Sequence, residues 1–136
     1  MVRPIIHDII LLSRKSTPAT SADLGTANDL LDTLRANSER CVGMAANMIG
    51  VTKRIIAVND DGEYLLMLNP ELLRRSGSYE TQEGCLSLDG TRPTVRYKEI
   101  KLRWQTPELK PRVRSFGGFT AQIIQHELDH LDGILI

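Results

Sequence analysis

The sequence predicts a single α+β domain with a helix near each end and strands between them. Apolar residues recur at helical spacing over 23–37. A second helical run over 120–132 stops at Gly133, and apolar segments of strand length, separated by turn residues, fill the interval. With 136 residues the chain has the length of one domain and can bury a core without disulfide staples. Residues 1–136 carry no repeat, low-complexity tract or Pro/Gly-rich linker that would mark a boundary.

Residues 16–22 (Ser-Thr-Pro-Ala-Thr-Ser-Ala) read as a loop whose polar side chains cap the next segment. There Leu24, Ala27, Leu30, Leu31 and Leu34 share one face, the pattern of an amphipathic helix, with Gly25 weakening its first turn. Residues 41–50 (Cys-Val-Gly-Met-Ala-Ala-Asn-Met-Ile-Gly) are mostly small, which reads as a loop where backbone approaches another group closely. Strands are expected at 53–59 and 64–69, joined through Asp60-Asp61-Gly62-Glu63 as a hairpin. Pro70 closes the second of these, and a further strand runs from Leu72 into a turn at Ser76-Gly77-Ser78. Over 94–104, Val95 and Tyr97 fall out of phase with Ile100, Leu102 and Trp104, so a bulge is expected near Lys98-Glu99. A short strand at 112–116 precedes Gly117-Gly118, which turn the chain into the last helix, and Gly133 ends it.

Composition narrows the function classes. Hydrophobic residues make up 41% and charged residues 25%, ordinary values for a globular protein. Seventeen basic side chains balance seventeen acidic ones, which removes the electrostatic case for direct nucleic-acid binding or for a membrane surface. No apolar run approaches the roughly 18 residues that span a bilayer. The N-terminus is a poor secretory signal, interrupted by His7 and Asp8, and two cysteines make no disulfide framework. A cytoplasmic protein with reduced thiols is expected.

The chemistry concentrates near the C-terminus. Two of the three histidines, His126 and His130, lie four residues apart on the last helix. That spacing puts them about 40° apart around the axis, one turn above the other, so both imidazoles can reach one ion. Glu127 stands beside them in a His-Glu-x-x-His arrangement, able to take a proton from water that a cation has made acidic. A catalytic site of this kind keeps three protein ligands and one open position. His7 has no supporting context as the third. Cys85, after a glycine in Glu83-Gly84-Cys85-Leu86-Ser87, stands either as that ligand or as a small inert core residue.

Three segments in order, residues 41–50, Glu83-Gly84-Cys85-Leu86-Ser87 and Gln125-His126-Glu127-Leu128-Asp129-His130-Leu131-Asp132-Gly133, resemble the signature motifs of the peptide deformylases. These enzymes remove the formyl group from the initiator N-formylmethionine of nascent polypeptides. The resemblance implies a mostly antiparallel mixed sheet packed around the C-terminal metal-binding helix. It further implies that Cys85, His126 and His130 hold one divalent ion, commonly Fe2+, with Zn2+, Ni2+ or Co2+ as substitutes. Glu127 would be general base and then acid, and the Leu86 N–H would meet the developing oxyanion. Gly43 and Gly84 resemble the backbone positions that line the bound peptide. Val42, Met44, Met48, Phe119 and Ile123 are candidates for the surface that receives the substrate. Gln125 and Asp129 would support the ligands, and an ion pair of Glu83 with Arg96 would brace the cysteine loop. The implied partner is an N-formylmethionyl peptide of a nascent chain, at the ribosome, with no membrane.

The first motif departs from the family pattern, Gly-x-Gly-Leu-Ala-Ala-x-Gln-x-Gly, at Cys41 for the first glycine and Met48 for the glutamine. The glutamine amide donates to the formyl oxygen as it becomes an oxyanion, and losing such a donor unreplaced costs about 10²–10³ in turnover. Asn47 or a water is the expected substitute donor. The alternatives are weak or altered amidase activity, or a non-catalytic binder of peptide N-termini or metal. Cys41 is expected to be a packing residue, not a fourth ligand.

Overall fold

The computed structural model describes residues 1–136. A short helix, α1 (Ile9–Leu12), precedes a 3₁₀ turn at Ser21–Asp23 and then α2 (Leu24–Ala36). Thr20 caps that turn: its hydroxyl accepts from the Ala22 N–H, and Asp23 reaches back to the Thr20 N–H at 2.8 Å. Five strands follow, β1 (Gly43–Ala45), β2 (Ile55–Asp60), β3 (Glu63–Cys85), β4 (Leu88–Gln105) and β5 (Pro111–Gly117), and then α3 (Gly118–Leu131). The sheet runs β1-β2-β3-β4-β5, each strand antiparallel to its neighbour. A single isolated parallel bridge joins Thr17 to Lys53.

β2 is buried on both of its faces. Ile56 and Val58 pack with Ile100, Leu102, Trp104 and Phe116 and with Ile123 and Ile124 of α3. Ile55 and Ala57 face the other way, toward Leu30 and Leu34 of α2 and toward Met44 and Leu68. A strand with two buried faces reads as a continuous apolar run, as residues 55–58 do. The β2–β3 hairpin turns on Asp61 and Gly62, both at positive φ (50° and 97°), the backbone of the two-residue turn that matches strand twist.

Four expectations are corrected. Residues 41–50 are not a loop: they hold β1 and a 3₁₀ turn, Ala46–Ile49, and residues 43–49 are buried. Small side chains fit there because α2, α3 and β2 all approach. Pro70 does not end a strand, and Ser76-Gly77-Ser78 is not a turn. β3 continues to Cys85, absorbing Pro70 at an irregularity where Asn69 takes φ 52°, while Ser76 and Ser78 stay paired with Glu99 and Tyr97. Two bulges lie in β3, between Leu68 and Glu71 and between Leu72 and Arg74, a third register shift falls between Gly84 and Cys85 at the hairpin end, and none occurs near Lys98-Glu99. The inward face of β4 remains in phase throughout, with Arg96 buried in step with Ile100, Leu102 and Trp104. Val95 points outward and is half exposed. A buried arginine hid the alternation.

Candidate metal centre

The long β3–β4 hairpin carries Cys85 to its tip, and α3 lays His126 and His130 against it. The Cys85 sulfur and one nitrogen from each ring lie within 4.8 Å of one another. The two imidazoles meet edge to face, centroids 4.4 Å apart, and both are more than nine-tenths buried. The Ser87 N–H turns back to the Cys85 sulfur at 3.4 Å.

Glu83 organises the surroundings. Its carboxylate faces His126 Nδ1 at 2.8 Å, accepts from Arg96 Nη2 at 2.7 Å and Nε at 3.0 Å, and accepts from Gln122 Nε2 at 3.0 Å. Arg96 Nη1 donates to Asp129 at 2.7 Å, so one guanidinium ties the hairpin to α3 and the expected Glu83–Arg96 pair is present. With Nδ1 held by Glu83, His126 keeps Nε2 as its ligand nitrogen. Gln125 binds the Tyr97 backbone in both directions at 2.8 Å and so fixes the helix to β4. Glu127 Oε1 lies 3.0 Å from His130 Nδ1 and is buried.

The charges are those of a ligand set. Burial pushes the Cys85 thiol up, but the two imidazoles beside it outweigh this and bring it to about 6. Burial lowers both histidines; Cys85 and Glu83 nevertheless lift His126 to about 9, and Glu127 and Cys85 lift His130 to about 11. Burial raises Glu83, yet His126, Arg96 and Gln122 hold it at about 2. His130 Nδ1 and Glu127 Oε1 are buried and face each other at 3.0 Å without well-formed hydrogen-bond geometry, so neither has any partner besides the other. One thiolate and two imidazoles with their ligand atoms within 4.8 Å of one another fit a borderline divalent ion of the Fe2+–Zn2+ series.

A cleft of about 590 Å³ opens beside this cluster, lined among others by Val42, Gly43, Met48, Gly84, Cys85, Leu86, Phe119, Ile123, His126 and Glu127. Gly43 abuts the acid: a Cβ there would fall 2.5 Å from Ile123 Cγ2 and 2.9 Å from Glu127 Oε2. Met44 does not line the cleft; it faces the α2 core and is fully buried. Asn47 does not line the cleft, and its amide Nδ2 donates to the His130 carbonyl at 2.9 Å, so it is not placed as the substitute oxyanion donor. Cys41 lines the cleft but lies outside the ligand group, and its thiol donates to the Gly43 carbonyl at 2.9 Å. His7 lies against the Ser87 carbonyl, 3.1 Å away, and does not join the ligand group. A larger recess, about 680 Å³, lies between β3, β4 and α3, and none of Cys85, Glu127, His126 or His130 lines it. Sequence reasoning missed Gln122, although it sits four residues before His126 on the same helix face.

The polypeptide deformylase family model matches residues 5–136. The chain is 49% identical over 136 residues to a peptide deformylase of Clostridium beijerinckii, covering all of both chains. Among solved structures it is similar to a class I type b peptide deformylase from Acinetobacter baumannii with Met-Ala-Ser bound. The TM-score is 0.89 at 28% identity, covering 99% of this chain and 97% of that one. A peptide deformylase from Legionella pneumophila gives TM-score 0.89 at 32% identity, over 99% and 83%. This chain thus belongs to the polypeptide deformylase family, metal-dependent hydrolases that act on N-formyl peptides.

Proposed function

We propose that the chain removes the formyl group from N-formylmethionyl peptides of nascent proteins, using Cys85, His126 and His130 to hold one divalent ion, Fe2+ by preference. Such an ion, when bound, lowers the pKa of a water and polarises the formyl carbonyl. Glu127 takes the proton of the attacking water and passes it to the departing amine. The Leu86 N–H donates to the oxyanion, following directly after the cysteine on the same tight turn. Glu83 fixes the tautomer of His126 and, through Arg96 and Gln122, its position.

Extended backbone at Gly43 and Gly84 suits strand-like pairing with the peptide, and Val42 and Ile123, with Phe119 at the exposed rim, suit an apolar first side chain. That a similar structure, the Acinetobacter baumannii deformylase, has Met-Ala-Ser bound supports a short peptide as the ligand. Work on nascent chains in the cytoplasm, close to the ribosome, follows from that substrate.

The observation that carries the reading is the cluster of a half-buried cysteine and two buried imidazoles, with Glu127 beside it, lining a peptide-sized cleft. A non-catalytic role gains no support from a site that keeps every ligand and its acid together. The test is formate release from formyl-Met-Ala-Ser, measured anaerobically with Fe2+, for the wild type and Glu127→Ala. Release should fall by about 10²–10⁴ in the variant while the metal stays bound. Equal background rates from both would remove the proposal.

A further inference from the structure

We propose that one buried water, bridging Asn47 and Ser87, ties the loop of Cys85 to the helix of His130 and fixes the spacing of these two ligands. The effect on metal holding rests on the reading that Cys85, His126 and His130 grip an ion; the water site stands without it. A cavity of about 10 Å³ adjoins the ligand group. Cys85 and Met48 border both this cavity and the cleft, whereas Leu12, Asn47, Ser87 and His130 border the cavity alone. A space of that size holds one water and nothing larger.

The hydrogen bonds around it leave two oxygens over. Asn47 is 1% exposed; its Nδ2 donates to the His130 carbonyl at 2.9 Å, and its own carbonyl accepts from the Gly50 N–H at 3.0 Å. Ser87 is 4% exposed; its N–H turns to the Cys85 sulfur at 3.4 Å, and His7 Nδ1 lies 3.1 Å from its carbonyl. Asn47 Oδ1 and Ser87 Oγ are both buried and meet no protein group, not even each other. Buried oxygens without partners are rare and costly. Both accept hydrogen bonds, and a water offers two donors within the volume of the cavity. A bare cation would need more oxygens than these two.

The bridge completes a chain of contacts. It runs from Ser87, two residues past Cys85, through the water to Asn47, and from Asn47 Nδ2 to the His130 carbonyl. Glu83 orients His126, and the bridge does the same for Cys85 and His130, which come from different elements. Asn47 and Ser87 are thus positioning residues. Loss of such outer partners typically weakens metal binding about 10–100-fold.

The test is a double-mutant cycle on Zn2+ affinity, measured by chelator competition for wild type, Ser87→Ala, Asn47→Ala and the double variant. Crystal structures of Zn2+-loaded wild type and Ser87→Ala accompany it. The wild type should show one water within hydrogen-bond distance of Asn47 Oδ1 and Ser87 Oγ, lost or displaced in Ser87→Ala. Ser87→Ala should weaken Zn2+ binding about 10–100-fold by itself, but no more than about twofold once Asn47 is alanine, because both act through one bridge. In the Co2+ form, the thiolate-to-metal absorption should shift in Ser87→Ala as Cys85 moves relative to His130. An empty cavity, a Ser87→Ala variant with wild-type affinity and an unaltered Co2+ spectrum, or strictly additive losses would overturn the inference. Should Asn47→Ala fail to fold, the crystal structures and Ser87→Ala alone still decide. If the wild type itself binds no Zn2+, the proposed function falls instead, and the crystal structure of the metal-free protein still decides whether the water is there.

Discussion

Arg96 offers the most direct test of how this centre is held. It is 4% exposed and donates to Glu83 through Nε and Nη2 and to Asp129 through Nη1. Replacing it with methionine keeps much of the stem volume but strands one buried and one half-buried carboxylate. Breaking a buried ion pair by removing one partner costs about 3–5 kcal/mol. Glu83 retains His126 and Gln122 as partners, so the lower end applies, about 3 kcal/mol. With a urea slope of about 2 kcal/mol/M, the midpoint should drop by about 1.5 M, measured with chelator present so that metal binding does not contribute. The pH dependence supplies an independent check. Glu83 is held at about 2 against an ordinary 4.5, so the folded state keeps it ionised while the unfolded chain takes up a proton. Wild-type stability therefore falls as pH drops from about 4.5 toward 2, and that slope should flatten in Arg96→Met. A loss under about 1 kcal/mol with the same acid slope would refute the reasoning.

Two further outcomes follow from the geometry. Gly43→Ala would place a methyl group against Ile123 and Glu127. It should cost about 1–3 kcal/mol in thermal or urea melts and lower kcat/KM for formyl-Met-Ala-Ser, because the methyl group displaces both the acid–base Glu127 and the pocket residue Ile123. Metal uptake should release protons: in the ion-free protein around pH 7, Cys85 is a thiolate and both histidines carry protons that must leave before they ligate. More than one proton per ion should appear by calorimetry in buffers of different ionisation enthalpy, and apparent affinity should rise with pH from 6 to 9; pH-independent binding would contradict this.

What could be read from the sequence was what repeats with a fixed period or sits at a fixed spacing. The α2 stripe and the His126–His130 pair are local to one helix, so a single turn of geometry places them. Cys85 needed the resemblance, because nothing within its own segment says that it meets α3 forty residues later. The length of β3 was hidden by Pro70 and Gly77, which look like breakers yet sit at a bulge and inside a paired ladder. The inner face of β4 was hidden by Arg96, a charged side chain in an apolar position, made tolerable only by Glu83 and Asp129 from other elements. Met44 was misplaced for a related reason: it lies in β1 (Gly43–Ala45), a strand buried on both sides, where the neighbouring Met44 and Ala45 serve different cores.

Cys85 rides at the end of a twenty-three-residue strand whose stretch from Ser78 to Gly84 is paired with Tyr97 to Thr91 of β4 without a register shift. Deleting or inserting a single residue between Ser78 and Gly84 would invert every side chain beyond it, turning the sulfur to the far face and swinging Glu83 away from His126 at the same stroke. Length variation in this stretch is accordingly all or nothing. The turn at Thr106–Lys110, where Leu109 already takes φ 64° and no ligand lies downstream in the same ladder, is the place where evolution or an engineer can add residues without disturbing the chemistry.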